Sequence, residues 1–394
     1  MYTGRILFSQ LMDVVPRYKF RKIVDQHDGN YRVQHFTCWQ QLLCLCFGQF
    51  TFRKSLRDLT STLNAMDASR YHMGITRKVP LSTFADANAT RPWQIYHDLT
   101  MVLIDQARKI VWEQSDADQS TESIYALDAT TIDLCLTLFP WATFRSRKAA
   151  IKLHTLMDLE GSIPTFIHIS EGRTHDVNAL DLLPIQPGSI YIMDRGYVDF
   201  QRLYKLRTSG GRFVIRAKKN LQFYRKSSTP VDRSKGFRCD QMIRLNGPES
   251  KKKYPQTLRR VRLVEPEHHQ NIVLLTNITT GSAETIGEYY KSRWSRPIGK
   301  LFFKWIKQHL RIKAFYGQSP NAVKTQIWTA ICSYLIILII QKTNHFNVKM
   351  HPPAGGQVVS VAIMGRMRLK ELFSDESLME KNTHSRNQLG LFNL

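Results

Sequence analysis

Acidic residues are absent from a long basic stretch in the C-terminal part of this 394-residue sequence. Between Tyr289 and Lys370 there are fourteen Lys and Arg residues and not one Asp or Glu. Such a stretch has no carboxylate to offer a divalent cation, because hard cations need oxygen ligands. It favours contact with an acidic polymer instead.

The charge of the whole chain has the same sign. Lys and Arg number 56 against 32 Asp and Glu, which gives a formal net charge of +24 at pH 7. Nucleic acid is the first candidate partner, because Lys and Arg that neutralise phosphates release condensed counterions. A ribosomal protein is usually shorter and less apolar than this chain, whose hydrophobic content of 43% suffices for one large or two medium domains. A membrane-surface protein would concentrate its charge on one amphipathic helix.

The six cysteines include no CxxC pair, and the N-terminus lacks the pattern of a signal peptide. Both absences predict free thiols in a reducing compartment, and therefore a cytoplasmic protein. A zinc site formed by His35, Cys38, Cys44 and Cys46 is the alternative. It is disfavoured because the cysteines fall within CWQQLLCLC, an apolar run with the pattern of a helix.

A clear membrane-spanning segment is also lacking. The uncharged run IWTAICSYLIILII, at 327–340, is shorter than the ~20 residues that a spanning helix needs. Thr329 and Ser333 interrupt it. We therefore expect a buried core helix and no membrane partner.

Helical patterns occupy both ends of the chain, and strand patterns occupy its middle. Apolar residues recur every three or four positions up to about residue 118 and again from about 284 to 342. Short β-branched and aromatic runs, separated by Gly, Pro and Ser, lie between them. This order predicts an α/β fold. The predicted parts are an all-α N-terminal domain at 1–118, a core at 119–345 with a β-rich insertion at about 211–280, and a partly disordered tail at 346–394.

Two predicted strands each deliver a single aspartate near their ends. YALDATT contains Asp128 and YIMDRGY contains Asp194, each followed by small or turn-prone residues. An aspartate there faces the sheet edge where open α/β folds bind ligands, unless it merely caps a turn or a helix. Two such carboxylates together suit divalent cations. A pair of ions about 3.5–4 Å apart would activate a water or a 3′-hydroxyl and stabilise the leaving oxygen in phosphodiester cleavage.

Polar residues between these aspartates leave two roles open. Lys152 and His154 alternate along IKLHTL, so they share one face of a strand. They either contact DNA phosphate or orient a water there, or they form a plain exposed edge. His175 and Asp176 in GRTHDVN either form a turn that caps a helix or belong to the active site.

Several blocks of the sequence resemble one protein family. YALDATTIDLCLTLFPWATFR, IKLHTLMDLEGSIPTFIHISEGRTHDVNALD, YIMDRGYVDFQRLYKL and LFFKWIKQHLRIKAFYG are similar to blocks of DDE-class transposases of the insertion-sequence-four family. QHFTCWQQLLCLCFGQ resembles the helical domain of uncharacterised function that precedes the catalytic core in many members. The resemblance covers the chain to about residue 345.

This resemblance implies a fold, a cofactor and a partner. The implied fold is an RNase H-like mixed-sheet catalytic core, preceded by an N-terminal domain that binds DNA ends. The implied cofactor is Mg²⁺ or Mn²⁺, and an intact site holds two ions. The family's first two catalytic acids, which bind these ions, correspond here to Asp128 and Asp194. Double-stranded DNA, as transposon ends and target, is the implied partner of a homodimer.

The third acid of the family has no counterpart. The family's signature there is Tyr, two residues, Arg, three residues, Glu, six residues and Lys. Tyr290 and Arg293 match its first half and Lys307 matches its last position, but Lys300 stands where Glu is expected. The preceding segment SRPIGK has six residues where the family usually has three. Glu288 and Glu284 are the nearest, weak substitutes.

The resemblance also implies contacts with DNA. Tyr290, Arg293 and Lys307, which match the signature, are expected to hold the terminal phosphates of the DNA. An Arg side chain suits this role because it can contact a phosphate through two hydrogen bonds. A predicted helix at 300–313 places a further Lys on the same basic face. The predicted DNA-binding residues are Tyr290, Arg293, Lys304, Lys307, Lys152 and His154.

The sequence leaves more than one function open. The chain is a transposase that binds terminal inverted repeats and performs metal-dependent DNA cleavage and strand transfer, or it is a catalytically inactive DNA-binding remnant. The replacement of the third acid by Lys300 motivates the second function. A nuclease that hydrolyses DNA without joining it is a third.

Overall fold

The structure, a computed structural model, describes residues 5–114, 122–145, 148–264, 270–295, 302–303, 306 and 315–344. Lys300, Lys304 and Lys307 and the tail at 346–394 lie outside the described residues. The described residues divide into two compact units. The helical unit combines residues up to 115, those at 133–141 and those from 301 onward, and the sheet unit combines 116–132 and 142–300.

The helices, numbered along the chain, are α1 (Leu7–Met12), α2 (Arg17–Gln26), α3 (Cys38–Phe50), α4 (Leu56–Ala65), α5 (Asp67–His72), α6 (Leu81–Thr90), α7 (Gln94–Gln114), α8 (Phe200–Thr208), α9 (Pro248–Lys253), α10 (Ala283–Ser295) and α11 (Pro320–Thr343). Helix α3 begins with a capping box, in which Thr37 and Gln40 satisfy each other's backbone N–H groups. Helix α11 begins at Pro320, and the Ser319 hydroxyl accepts from the N–H of Ala322.

Helix α11 contains the uncharged run identified in the sequence. Its apolar residues surround the helix on all sides, and it is the one described helix long and apolar enough to cross a membrane. However, 94% of its most apolar window is buried within the protein. The prediction of a buried core helix is therefore confirmed.

Contacts of α11 with α6 and α7 explain why it belongs to the helical unit. The Asn321 side chain donates to the carbonyls of Asn88 and Arg91, at 2.9 and 2.7 Å. The indole of Trp328 stacks on Trp93 with ring centroids 6.4 Å apart. The compact units thus differ from the predicted domain boundaries, which assign this helix to the core at 119–345. An all-round apolar helix has to be enclosed, and the N-terminal helices supply the enclosing surface.

The strands are β1 (Ile124–Leu134), β2 (Thr143–Arg145), β3 (Lys148–Asp158), β4 (Ile163–Glu171), β5 (Ile190–Met193), β6 (Arg212–Arg216), β7 (Phe223–Thr229), β8 (Phe237–Leu245), β9 (Leu258–Val264) and β10 (Asn271–Thr276). They form one mixed sheet in the order β2-β3-β1-β5-β6-β10-β9-β8-β7, with β4 paired to β3. Strands β1, β5 and β6 are parallel, and the strands from β10 to β7 pair antiparallel. This architecture confirms the predicted α/β class with an RNase H-like mixed sheet and preceding helices.

Both faces of the central strands are covered. Tyr125 and Leu127 of β1 point to one face, where they join a core that includes residues of α8. Ala126 points to the other face and packs in a core that includes Ile286 and Tyr290 of α10. Strands buried on both faces are nearly continuous apolar runs, as YAL and IYIM are here.

Two details differ from the sequence analysis. The predicted β-rich insertion at about 211–280 contains β6 to β10, but these strands continue the main sheet rather than forming a separate one. The helix that a turn at His175 and Asp176 was expected to cap is only a short 3₁₀ helix, Asp176–Asp181. It ends before Pro184, and proline disfavours helical backbone at the residue that precedes it.

The burial of α11 predicts unequal effects of two tryptophan substitutions. Trp328→Ala removes a fully buried indole and should lower the free energy of unfolding by about 3–5 kcal/mol. Trp112→Ala, in α7, is the matched control because its side chain is 81% exposed, and it should change stability by less than about 0.5 kcal/mol. Urea denaturation followed by circular dichroism measures both. Equal losses of stability in the two variants would contradict the burial of Trp328 in the core around α11.

Candidate active site

The parallel pairing of β1 and β5 brings the two predicted aspartates together. Leu127 pairs with Met193 in the register of these strands. Asp128 is the next residue of β1, and Asp194 directly follows the end of β5. Because neighbouring strands lie about 4.8 Å apart, both carboxylates occupy the same sheet edge. The structure thus unites residues that are 66 positions apart in the sequence.

Each aspartate is oriented by the N–H of the next residue. The Ala129 N–H donates to Oδ1 of Asp128 at 2.9 Å, and the Arg195 N–H donates to Oδ1 of Asp194 at 2.6 Å. Asp194 thereby caps a 3₁₀ helix at Arg195–Tyr197. The capping role considered from the sequence therefore coexists with a place at the sheet edge, because a carboxylate has further lone pairs.

Helix α10 contributes Arg293 to the same place. Its Nη1 lies 3.8 Å from Oδ2 of Asp128, and its side chain is only 12% exposed. The guanidinium also lies over the ring of Tyr290, 5.7 Å from its centroid. Tyr290 itself is fully buried in the sheet core. Arg293 therefore lies beside Asp128, whereas Tyr290 is buried and its ring supports the guanidinium.

A buried ion pair fixes the start of α10. Arg259 on β9 donates to both carboxylate oxygens of Asp240 on β8, at 2.9 and 2.7 Å. The same guanidinium donates to the carbonyls of Thr280 and Gly281. Gly281 has a φ of +79°, a conformation that favours glycine. The loop before α10, the helix that carries Arg293, is thus anchored to the sheet.

Asp176 lies near the turn that follows Asp194, and its charge raises the pKa of Asp128. Its Oδ2 lies 3.6 Å from the position that a Cβ would take at Gly196, next to the turn after Asp194. Its Oδ1 accepts from Nζ of Lys152 at 3.0 Å. Lys152 also donates to the carbonyl of Thr174 at 2.8 Å. The predicted phosphate contact by Lys152 is therefore in competition with a partly buried ion pair.

His154 does not lie where DNA could reach it. Its side chain is fully buried, Nε2 lies 3.0 Å from the Ser170 hydroxyl, and its ring stacks against His168. Burial lowers the pKa of His154 to about 4, so the ring is neutral at neutral pH. These observations remove His154 from the predicted DNA contacts. Alternation along β3 indicated a shared face correctly but did not show that this face is buried at His154.

Desolvation dominates the electrostatics of Asp128. Although 46% of its side chain is exposed, the surrounding protein atoms raise the pKa of this carboxyl. The Arg293 guanidinium and the Ala129 N–H lower the pKa, whereas Asp194 and Asp176 raise it again. The net effect favours the protonated form. A cation at this edge would relieve the repulsion among these carboxylates.

Tyr197 is a residue that the sequence analysis did not single out. Its hydroxyl is buried and has no hydrogen-bond partner among the described residues. Burial raises its pKa, and the carboxylates of Asp176, Asp128 and Asp194 raise it further. The charges of all three aspartates therefore act on this hydroxyl. An aromatic residue three positions after Asp194, in DRGY, was the available sequence signal.

The weak substitutes for the third acid do not face the aspartates. Glu284 lies near Lys235, with Oε1 3.8 Å from Nζ, and Glu288 is exposed. At 100° per residue, Glu288 and Glu284 lie roughly 140° and 180° around α10 from Arg293. Neither side chain is therefore on the Arg293 side of the helix.

The residues present fit a divalent cation in part. Asp128 and Asp194 offer hard oxygen donors at one sheet edge, which suits such an ion. Within the described ranges, however, no group of three or more His, Cys, Asp or Glu residues could hold a metal ion. The structure thus supports two of the three carboxylates that the sequence resemblance implies.

Comparison with known proteins agrees with this geometry. Residues 119–336, more than half of the chain, match the family described as the transposase DDE domain. The chain belongs to the DDE transposase family. Residues 3–76 match a domain of unknown function (DUF4372). The predicted transposase identity is thereby confirmed, and membership implies dependence on a divalent metal and binding to DNA.

Individual relatives support the assignment. A Sinorhizobium fredii protein named as a transposase (y4zB) is 30% identical over 67% of this chain and 72% of its own length. A Geobacillus stearothermophilus protein named as the transposase of insertion sequence element IS5377 is 29% identical over 57% of this chain and 59% of its own. A cryo-EM structure of a piggyBac transposase synaptic complex with hairpin DNA covers 98% of this chain and 83% of that chain, with 13% identity. Its TM-score of 0.42 is too low to argue a shared fold.

The raised pKa of Asp128 predicts a pH-dependent stability of the cation-free transposase. The folded state holds this proton more strongly than the unfolded state, so stability falls as pH rises from the ordinary carboxyl pKa of about 4 through the raised value. Asp128→Asn should remove this loss and raise Tm at pH 7 by roughly 1–2 °C in EDTA.

Asp133→Asn is the matched control, because Asp133 lies on the same strand but is exposed. It should leave the pH dependence unchanged. Thermal melts between pH 4 and pH 7 measure both variants. A lower Tm for Asp128→Asn at pH 7 would show that the Arg293 contact outweighs desolvation.

Proposed function

We propose that this transposase binds the terminal inverted repeats of an insertion sequence and catalyses DNA cleavage and strand transfer at Asp128 and Asp194. The observation that carries the proposal is the register of β1 and β5, which brings these carboxylates to one sheet edge. Arg293 beside them supports an anionic substrate, because its fixed fork of donors suits phosphate oxygens.

The proposed cofactor is Mg²⁺ or Mn²⁺, with two ions in a complete site. Bound ions would activate the attacking water or 3′-hydroxyl and stabilise the leaving oxygen. Asp128 and Asp194 would hold the metal through oxygens not used by the N–H groups of Ala129 and Arg195. Loss of the repulsion between the carboxylates would favour this binding, and it would free Arg293 to contact phosphate.

The proposed partner is double-stranded DNA, as transposon ends and as target. The net charge of +24 supports it, because phosphate neutralisation releases counterions. We propose a homodimer in the paired-end complex, since each DNA end needs a catalytic site. The proposed location is the bacterial cytoplasm, with association to the nucleoid when DNA is bound.

A specific observation favours a second candidate function, that of a catalytically inactive DNA-binding remnant. Lys300 replaces the third acid in the sequence, and an ammonium there would repel the cations that the acid would hold. Glu284 and Glu288 turn away from the Arg293 side of α10, so neither compensates. In this candidate the chain still binds the ends but does not cut them.

Cleavage assays with terminal-repeat duplexes test the catalytic assignment. Any Mg²⁺- or Mn²⁺-dependent nicking by the purified chain should fall to background in Asp128→Ala and in Asp194→Ala, because each removes a metal ligand. Asp133→Ala, on the exposed side of β1, is the matched control and should retain it. Cleavage that survives both active-site substitutions would overturn the proposed mechanism.

The same assay separates the candidate functions. Nicked and joined products together indicate a working transposase, and nicked product alone indicates a nuclease that cannot transfer. Specific binding without any cleavage indicates the inactive remnant. Failure to bind DNA at all would contradict every one of these functions.

Restoring the third acid gives a further prediction. Replacing the six residues SRPIGK, at 295–300, by three residues that end in Glu should raise excision by at least roughly tenfold, since one well-placed catalytic group contributes that much or more. The same replacement ending in Gln is the matched control, with equal length and no charge. Equal excision by both replacements would mean that the missing carboxylate is not what limits this copy.

A further inference from the structure

A cleft in the helical unit has no role in the active site described above. Its volume is about 780 Å³. Its walls come from the connection between α2 and α3, the connection between α5 and α6, and α6 itself. The cleft extends from the N-terminal domain of unknown function into α6.

The charge of the cleft is mainly positive. Arg32, Arg77 and Lys78 line it and are exposed, and among the described residues none of them forms an ion pair. Two acids, Asp28 and Asp86, also line it. Arg91 is a fourth cation, but its guanidinium is occupied, since it donates to the Gln41 side chain and lies over the ring of Phe36. Three cationic heads are therefore available to an anionic ligand.

Both walls are held by hydrogen bonds from asparagine side chains. Oδ1 of Asn30 accepts from the N–H of Cys38 at 2.8 Å, which fixes the wall that contains Arg32. The Asn64 side chain donates from Nδ2 to the carbonyl of Val79 at 3.0 Å and accepts at Oδ1 from the Val79 N–H at 2.9 Å. These two hydrogen bonds fix the wall that contains Arg77 and Lys78. A rigid arrangement of cations reduces the entropy lost when a ligand binds.

The backbone of the first wall is also unusual. Asp28 and Arg32 have φ values of +50° and +55°, in the left-handed region that non-glycine residues seldom adopt. Strain of this kind persists where the surrounding structure over-determines it, and it is concentrated at binding sites. Tyr31, between them, is 70% exposed, and the Arg32 guanidinium lies 5.1 Å from its ring centroid. The wall thus presents an aromatic face and a cation together.

We propose that this cleft binds the phosphodiester backbone of duplex DNA, with Arg32, Arg77 and Lys78 on phosphates and Tyr31 against the adjacent sugar. The proposal rests on the proposed function, because it takes DNA as the ligand of this chain. Exposed cations on the two walls of the cleft suit a strand of phosphates that passes between them. The cleft would position the DNA without reading its sequence, since backbone contacts carry little sequence information.

Lysine footprinting on the full chain tests the proposal locally. Acetylation of Lys78 should slow at least roughly threefold when a random-sequence DNA duplex is added, because a phosphate contact buries its ammonium. Lys109, exposed on α7 and outside the cleft, is the internal control and should be modified at an unchanged rate. Equal protection of both lysines, or protection of neither, would overturn the proposal.

A matched pair of triple variants tests the energetic contribution. Arg32→Gln, Arg77→Gln and Lys78→Gln together should weaken duplex binding roughly tenfold or more and reduce the salt slope by about three. Arg21→Gln, Arg57→Gln and Lys109→Gln remove the same charge from exposed positions outside the cleft and should change the slope by less than about one. Thermal melts should show both triple variants folded.

The outcomes distinguish this inference from the proposed function. If the unaltered chain binds duplex DNA and both triple variants weaken it equally, the cleft proposal is wrong and the proposed function is unaffected. If the unaltered chain binds no duplex DNA, both fail. If Tyr31→Ala weakens single-stranded but not duplex binding, the cleft takes an unpaired strand and the duplex assignment is wrong.

Discussion

The parallel pairing of β1 with β5 is the constraint on which the active site depends. The register of Leu127 with Met193 places Asp128 beside Asp194 at one sheet edge. A slip of one residue would turn each side chain to the opposite face and separate the carboxylates. The apolar runs that precede each aspartate oppose such a slip, because their side chains are buried in separate cores on the two faces of the sheet.

This arrangement creates an excess of negative charge that the protein offsets only in part. Arg293 approaches Asp128 at 3.8 Å, and Lys152 pairs with Asp176 at 3.0 Å. The pKa of Asp128 is raised because desolvation, together with the charges of Asp194 and Asp176, outweighs the lowering by Arg293 and the Ala129 N–H. Two carboxylates at one sheet edge offer the oxygen ligands that a divalent cation prefers.

The helical unit raises a different question, since it combines an N-terminal domain of unknown function with a C-terminal helix. Helix α11 is apolar on all sides, so its burial contributes a large part of this unit's core. A well-buried scaffold can hold strained surface segments such as the one around Asp28 and Arg32. The rigid, basic cleft next to that segment is the feature of this unit that most resembles a nucleic-acid contact.

Local patterns were sufficient to predict the helices of the N-terminal region, the strands of the core and the two aspartates, because periodicity and strand-end chemistry are properties of short segments. Asp176 and Tyr197 joined the site only through pairing and turns that connect distant segments. The same holds for the burial of His154 and Tyr290, which depends on which strand or helix covers each residue. The sequence by itself determined the family and the charge. Only the tertiary structure decided which charged side chains lie close together, since sheet register and helix packing determine the distances between them.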